Sequence, residues 1–162
     1  MMKYIKYILG VVFFSTTLFA SALQFEGLTY KDLNVTPTQM CPVKQVPLEK
    51  NKDFVGVVVY KDNSFDVMSS TKYTFKQKHH VEKTKEKEVA QLWVMDYKSK
   101  KLTDAQTAYY VFGSTMMSVG GDDIIPFKNE ADAKEFMEIH KGKKIYRVDR
   151  MNENFINYLE IR

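Results

Sequence analysis

The run Phe54 to Tyr60, FVGVVVY, constrains the fold more than any other stretch of the chain. β-branched and aromatic residues fill it and Lys61-Asp62-Asn63-Ser64 stops it, which reads as a buried strand ended by a turn. Ser64 to Met68 returns as a second strand, with Phe65 and Val67 on one face. A helix over Ser69 to Lys78 follows, capped by Ser69 or Ser70, and the polar residues 79–88 read as loop.

The remaining chain uses the same vocabulary. Residues 23–38 form an entry segment with a short strand near Leu28 to Val35. Val89 to Tyr97 (VAQLWVMDY) is a strand with Trp93 in the core, and Ala108 to Phe112 is another. Gly113, Gly120 and Gly121 bound a loop that leads into a short strand at Ile124 to Phe127. Asn129 to Lys141 is the clearest helix: Ala133, Phe136, Met137 and His140 recur at three- and four-residue steps, and Gly142 ends it. A strand at Lys144 to Asp149 and a short helix at Met151 to Ile161 finish the chain. Strand, turn, strand, helix at 54–78 is loosely echoed by strand, helix, strand at 123–149. The expected fold class is therefore α+β, two small sheet-plus-helix units packed together, with sub-units at 39–88 and 89–150 inside a domain spanning 23–162.

Residues 1–22 read as a secretory signal. Lys3 and Lys6 form its positive end, Ile8 to Phe19 its apolar core, and Ala20-Ser21-Ala22 a small-x-small cleavage pattern. A membrane span needs about twenty apolar residues, and this run is shorter. No cysteine follows Ala22, so no lipid anchor is indicated. The expectation is an exported, periplasmic protein that meets a membrane only if the signal stays uncleaved. Without Lys3 and Lys6 the formal charge of +4 falls to +2. The lysines near Lys76 to Lys87 alternate with glutamates, so there is no one-sided basic stripe for nucleic acid.

Export gives Cys41, the single cysteine of 162 residues, its importance. In an oxidising compartment a lone thiol is buried, paired with another molecule, or bound to something soft. Pro42 and Pro47 set Cys41 on a turn or a helix start, and its polar neighbours argue against deep burial. A thiol at a helix N-terminus ionises more easily, which suits metal binding; the competing reading is an inert packed thiol.

Seven methionines follow the signal. Met116 and Met117 sit side by side in the glycine-flanked loop without helical spacing, which makes them candidate thioether ligands. Met40 adjoins the thiol and reads either way, whereas Met68, Met95, Met137 and Met151 read as core. His79-His80 offers imidazoles that are equally well read as solvated, and His140 at a helix end is accounted for by the helix dipole. Thiolate and thioether together suit Cu(I). A structural zinc site is disfavoured, since its usual ligand sets need two or more cysteines; position 44 is lysine where a redox pair needs a second cysteine, and no phosphate-cradling glycine loop occurs. Nothing here points to an enzyme.

MCPVK, FVGVVVYKDNSFDV, LWVMDY, LTDAQTAYYVFGS and IIPFKNEADAKEFMEIHKGK, in this order, resemble the NosL family over most of residues 39–149. The resemblance implies a small α+β fold of two similar units, related to part of the organomercurial lyase MerB. It also implies a periplasmic accessory protein that binds Cu(I) and helps deliver it to nitrous oxide reductase, its site built on a cysteine near the mature start with methionine and histidine help. Cys41 occupies the first cysteine of the family's C-x-x-C-G-M pattern, but Lys44, Gln45 and Val46 replace the rest. The methionine that the family carries ahead of an acidic residue falls at Gly120, three and four positions from Met117 and Met116. Two expectations result. One is a copper chaperone using Cys41, Met116 or Met117, and His79 or His80. The other is a metal-free envelope interaction protein that kept the fold and lost the site.

Overall fold

A computed structural model describes residues 24–162, so the signal read at residues 1–22 lies outside the described residues. β1 (Gly56–Tyr60) is buried at every position, as its unbroken valine run requires. It is a central strand, paired antiparallel with β2 (Phe65–Met68) on one side and β3 (Val89–Asp96) on the other. β4 (Lys101–Asp104) extends the sheet to the order β2-β1-β3-β4. β4 is missing from the sequence reading because it is four residues long and shows one aliphatic side chain, Leu102.

A second antiparallel sheet has β5 (Tyr109–Phe112) between β6 (Ile124–Phe127) and β7 (Lys144–Tyr146). Two sheets with helices bear out the α+β expectation. The division expected at 88/89 is corrected, because β3 pairs with β1 and the sheets part between Asp104 and Tyr109. The entry segment is also corrected: its regular part is a 3-10 turn, Tyr30–Leu33, closed by Thr29 N–H donating to Asp32 Oδ2 at 2.7 Å. Residues 27 and 28 cover the free edge of β4 through Gly27 N–H to Leu102 O (2.8 Å) and Leu102 N–H to Leu28 O (2.7 Å).

α1 (Thr71–Thr84) packs across the first sheet. It approaches closely because Gly56 has no side chain: a Cβ there would come within 2.1 Å of Thr74 Oγ1. Residues 79–84, expected as loop, continue this helix. Val81 is buried and His79 bonds across to Met151, so tertiary contacts sustain a stretch whose own pattern is polar. Ser70 is the N-cap, its Oγ accepting from Tyr73 N–H at 3.4 Å.

α2 (Glu130–Ile139) covers the second sheet through Ala133 and Phe136. Lys141, with φ 55°, adopts the left-handed turn after α2, and Gly142 serves close packing instead: a Cβ there would lie 2.6 Å from Val111 Cγ1. α3 (Glu153–Glu160), capped by Asn152, lies on α1. Trp93, Met68, Met95 and Met151 are buried as expected. Among the described residues, no helix is long and apolar enough to cross a membrane.

Candidate metal centre

Residues 40–47 form a tight loop. Met40 and Pro47 make an isolated antiparallel bridge, Cys41 N–H donates to Val46 O at 2.8 Å, and Gln45 takes a positive φ of 58° to close the turn. Neighbouring residues of an extended pair face opposite ways. Met40 accordingly points outward at 42% exposure, while Cys41 points inward at 0%. The expectation that polar neighbours keep Cys41 accessible is therefore corrected: the loop is polar, but its backbone bridge turns the one thiol into the core.

The sulfur meets the N-terminal end of α1. Ser69 N–H donates to Cys41 Sγ at 3.4 Å, one residue before the Ser70 cap. Helix N-termini present unpaired N–H donors that suit electron-rich acceptors. A second acceptor arrives from the start of β6: Asp123 Oδ1 takes the Lys72 N–H at 2.9 Å and the Ile124 N–H at 2.8 Å. Burial is the main reason that Asp123 is pushed above the usual carboxylate range, against the pull of neighbouring donors such as Ser118 and Ser70.

Tyr73, one turn along α1, links this end to the loop between β5 and β6. A Cβ at Gly120 would stand 2.2 Å from the Tyr73 hydroxyl oxygen, so the loop passes directly over the phenol. Burial raises the Tyr73 pKa first, followed by Glu160 and Asp123, with a smaller share from Cys41. Among the described residues, the hydroxyl has no hydrogen-bond partner in range. Lys72, fully buried, fastens the same loop. Its Nζ donates to Gly120 O and Asp122 O, both at 2.9 Å, and pairs with Glu160 at 3.2 Å.

Of the expected ligands, the structure brings the glycine end of the loop, but not its methionines, toward the Cys41 end of α1. Met116 packs on the second core with Phe136 and Val111, and Met117 is 54% exposed. His79 and His80 stand on α1 instead of a loop. His79 Nε2 is 2.8 Å from Met151 O, and His80 is exposed on the groove between α1 and α3. His140 stacks on Phe136 at 4.2 Å. Among the described residues, no group of three or more His, Cys, Asp or Glu could hold a metal ion. Sequence reasoning missed Ser69, Lys72, Tyr73 and Asp123. Only the double serine before α1 hinted at them, as a cap.

The NosL family model matches residues 32–156. The crystal structure of the copper chaperone NosL from Shewanella denitrificans superposes with a TM-score of 0.62 at 21% identity, over 74% of this chain and 94% of that one. No curated protein matches. With more than half of its length matched by the family model, the chain belongs to the NosL family.

Proposed function

We propose that this protein carries Cu(I) outside the cytoplasm, with Cys41 as the anionic ligand, and hands the metal to an exported copper enzyme such as nitrous oxide reductase. The observation that carries the reading is the position of the only thiol at the N-terminal end of α1, beside the Gly120 end of the loop that holds Met116 and Met117. Family membership and the fold shared with a copper chaperone support it. So does the export signal read at residues 1–22. Thiolate and thioether select Cu(I) over hard ions.

With the sulfur at 0% exposure, loading requires the Gly120 loop to lift from Tyr73. That motion exposes Cys41 and frees the loop methionines to approach it. The likeness to a copper chaperone supports a carrier over a catalyst. Met40 lies on the outer face, where it is open to an acceptor during transfer. His79 and His80 join the ligand set only by leaving their present positions on α1.

The test is a competition titration of the full exported protein with a Cu(I) chelator under reducing conditions, with mass spectrometry for stoichiometry. The wild type takes up one Cu(I) and Cys41→Ala none; unchanged affinity in the variant removes Cys41 as the main ligand. A second reading, a metal-free envelope interaction protein, is favoured by one observation: the thiol is sealed and the other donors lie elsewhere. It is the correct reading if the wild type itself takes up no copper.

A further inference from the structure

Among the described residues, about half of the lysines and arginines form ion pairs with carboxylates, Arg162 among them, while Lys31, Lys44, Lys50, Lys85 and Lys101 are scattered cations without one. The run Lys141 to Arg150, KGKKIYRVDR, instead gathers unpaired cations in one place. Lys143, Lys144, Arg147 and Arg150 are exposed, and none of them forms an ion pair among the described residues. Lys144, Arg147 and Arg150 line one open depression of about 540 Å³ that contains a single acid, Asp149.

Aromatic rings set the geometry of these cations. The Arg147 guanidinium lies 3.9 Å from the centroid of Tyr109, and that of Arg150 lies 4.9 Å from Phe155 and 5.6 Å from Tyr146. Lys144 Nζ is 5.3 Å from Tyr146. A guanidinium stacked on a ring has lost part of its freedom before binding, while its in-plane donors remain available for a carboxylate fork.

The same residues border an open sheet edge. β7 is the last strand of the order β6-β5-β7 and, among the described residues, pairs only with β5. Two of the other edges are covered: residues 27 and 28 bond to β4, and Tyr97 N–H donates to Pro126 O on β6 at 2.9 Å; β2 is also an edge strand but carries no such cluster of cations. Unpaired edges are usually protected by charge or by a partner. Here the charge is predominantly positive, with Asp149 as the one acid.

We infer that β7 and the Lys144, Arg147 and Arg150 side chains form a docking edge for an extended acidic segment of a partner protein, which adds as a strand to the second sheet. The backbone edge favours a polypeptide over a lipid or nucleic-acid phosphate, because only a peptide can satisfy strand N–H and C=O groups while presenting carboxylates on alternate residues.

The probe is a fluorescein-labelled peptide of about ten residues alternating glutamate and valine, read by fluorescence anisotropy against the full chain. Saturable binding is expected, weakened at least tenfold by Arg147→Glu with Arg150→Glu, weakened by salt, and unchanged by Lys31→Glu with Lys50→Glu, exposed and unpaired elsewhere. A peptide N-methylated at alternate amides separates edge pairing from charge and needs no variant protein; it should bind at least tenfold more weakly. The inference is overturned by absent saturation, by equal binding of the methylated peptide, by equal loss in the control variant, or by binding to phosphatidylglycerol vesicles in place of the peptide.

Discussion

The Ser69 backbone N–H points at the Cys41 sulfur from 3.4 Å, joining residues 28 positions apart at the entrance to α1. This contact does two things. It satisfies a donor that would otherwise be buried without a partner at the start of the helix, and it holds the only thiol of the chain at 0% exposure. The sulfur is closed off by packing, yet the groups around it, Ser69, Ser70 and Tyr73, are polar.

A closed sulfur reacts only when its cover opens. Native protein is expected to react with a bulky aromatic disulfide reagent about a hundredfold more slowly than protein in denaturant, which corresponds to an opening free energy of about 3 kcal/mol. Equal rates would mean that the thiol is already accessible and that no opening step precedes metal loading.

Tyr73, whose phenol senses Cys41, is held in turn by the contact with Gly120. A Cβ at position 120 meets the phenol oxygen at 2.2 Å and Cζ at 2.8 Å, and Tyr73 is only 1% exposed, so the ring cannot swing into solvent. Gly120→Ala is expected to cost about 1–3 kcal/mol by overpacking, read as a lower urea midpoint. Adding Tyr73→Phe should recover part of the loss, because it removes the nearer of the two atoms. An unaltered midpoint in Gly120→Ala would show that the loop is free of Tyr73 in solution.

Much of the framework is legible in the sequence because it depends on short-range pattern. The valine run made β1 readable as a buried strand, and the three- and four-residue spacing of Ala133 and Phe136 marked α2. The site is less legible because it is assembled from residues far apart in the chain. Nothing near Cys41 encodes its burial: Pro42, Lys44 and Gln45 are polar or turn-forming, and the inward turn is decided by the Met40–Pro47 bridge and by Ser69. Lys72 looks like any surface helix lysine until the carbonyls of Gly120 and Asp122, about fifty positions later, surround it. His79 and His80 were read as loop because residues 76–84 carry one aliphatic side chain, Val81; the contact that keeps them helical is made to Met151.

Lys72 is the tie between α1, the loop and α3. Its ammonium is fully buried and bonds two carbonyls at 2.9 Å as well as Glu160 at 3.2 Å. Lys72→Met preserves most of the stem but leaves those carbonyls without their donor. Glu160 keeps Lys76, which limits the loss on its side. The expected cost is about 2–4 kcal/mol, with a matching gain in Cys41 thiol reactivity, since the same change releases the loop at Gly120. A stability loss without faster thiol reaction would separate Lys72 from the cover over Cys41.

Asp123 gives the fold a pH dependence with a definite sign. Its carboxyl is wholly buried, and burial raises its pKa above the ordinary carboxylate range even though Ser118, Ser70, the Ile124 N–H and Lys72 pull the other way. A raised folded pKa means that the native state keeps a proton at pH values where the unfolded chain has released it. The contribution to stability is then fully present below the unfolded pKa and is lost as pH rises through the folded one. Asp123→Asn retains an Oδ1 acceptor for the Lys72 and Ile124 N–H groups and cannot ionise. Its stability relative to wild type should therefore grow in the variant's favour as pH rises from below the usual carboxylate range. Urea unfolding of both proteins across that range measures the difference directly. Taking the difference between the two cancels the titrations common to both proteins, so a difference that stays constant with pH would show that Asp123 titrates alike in the folded and unfolded chains.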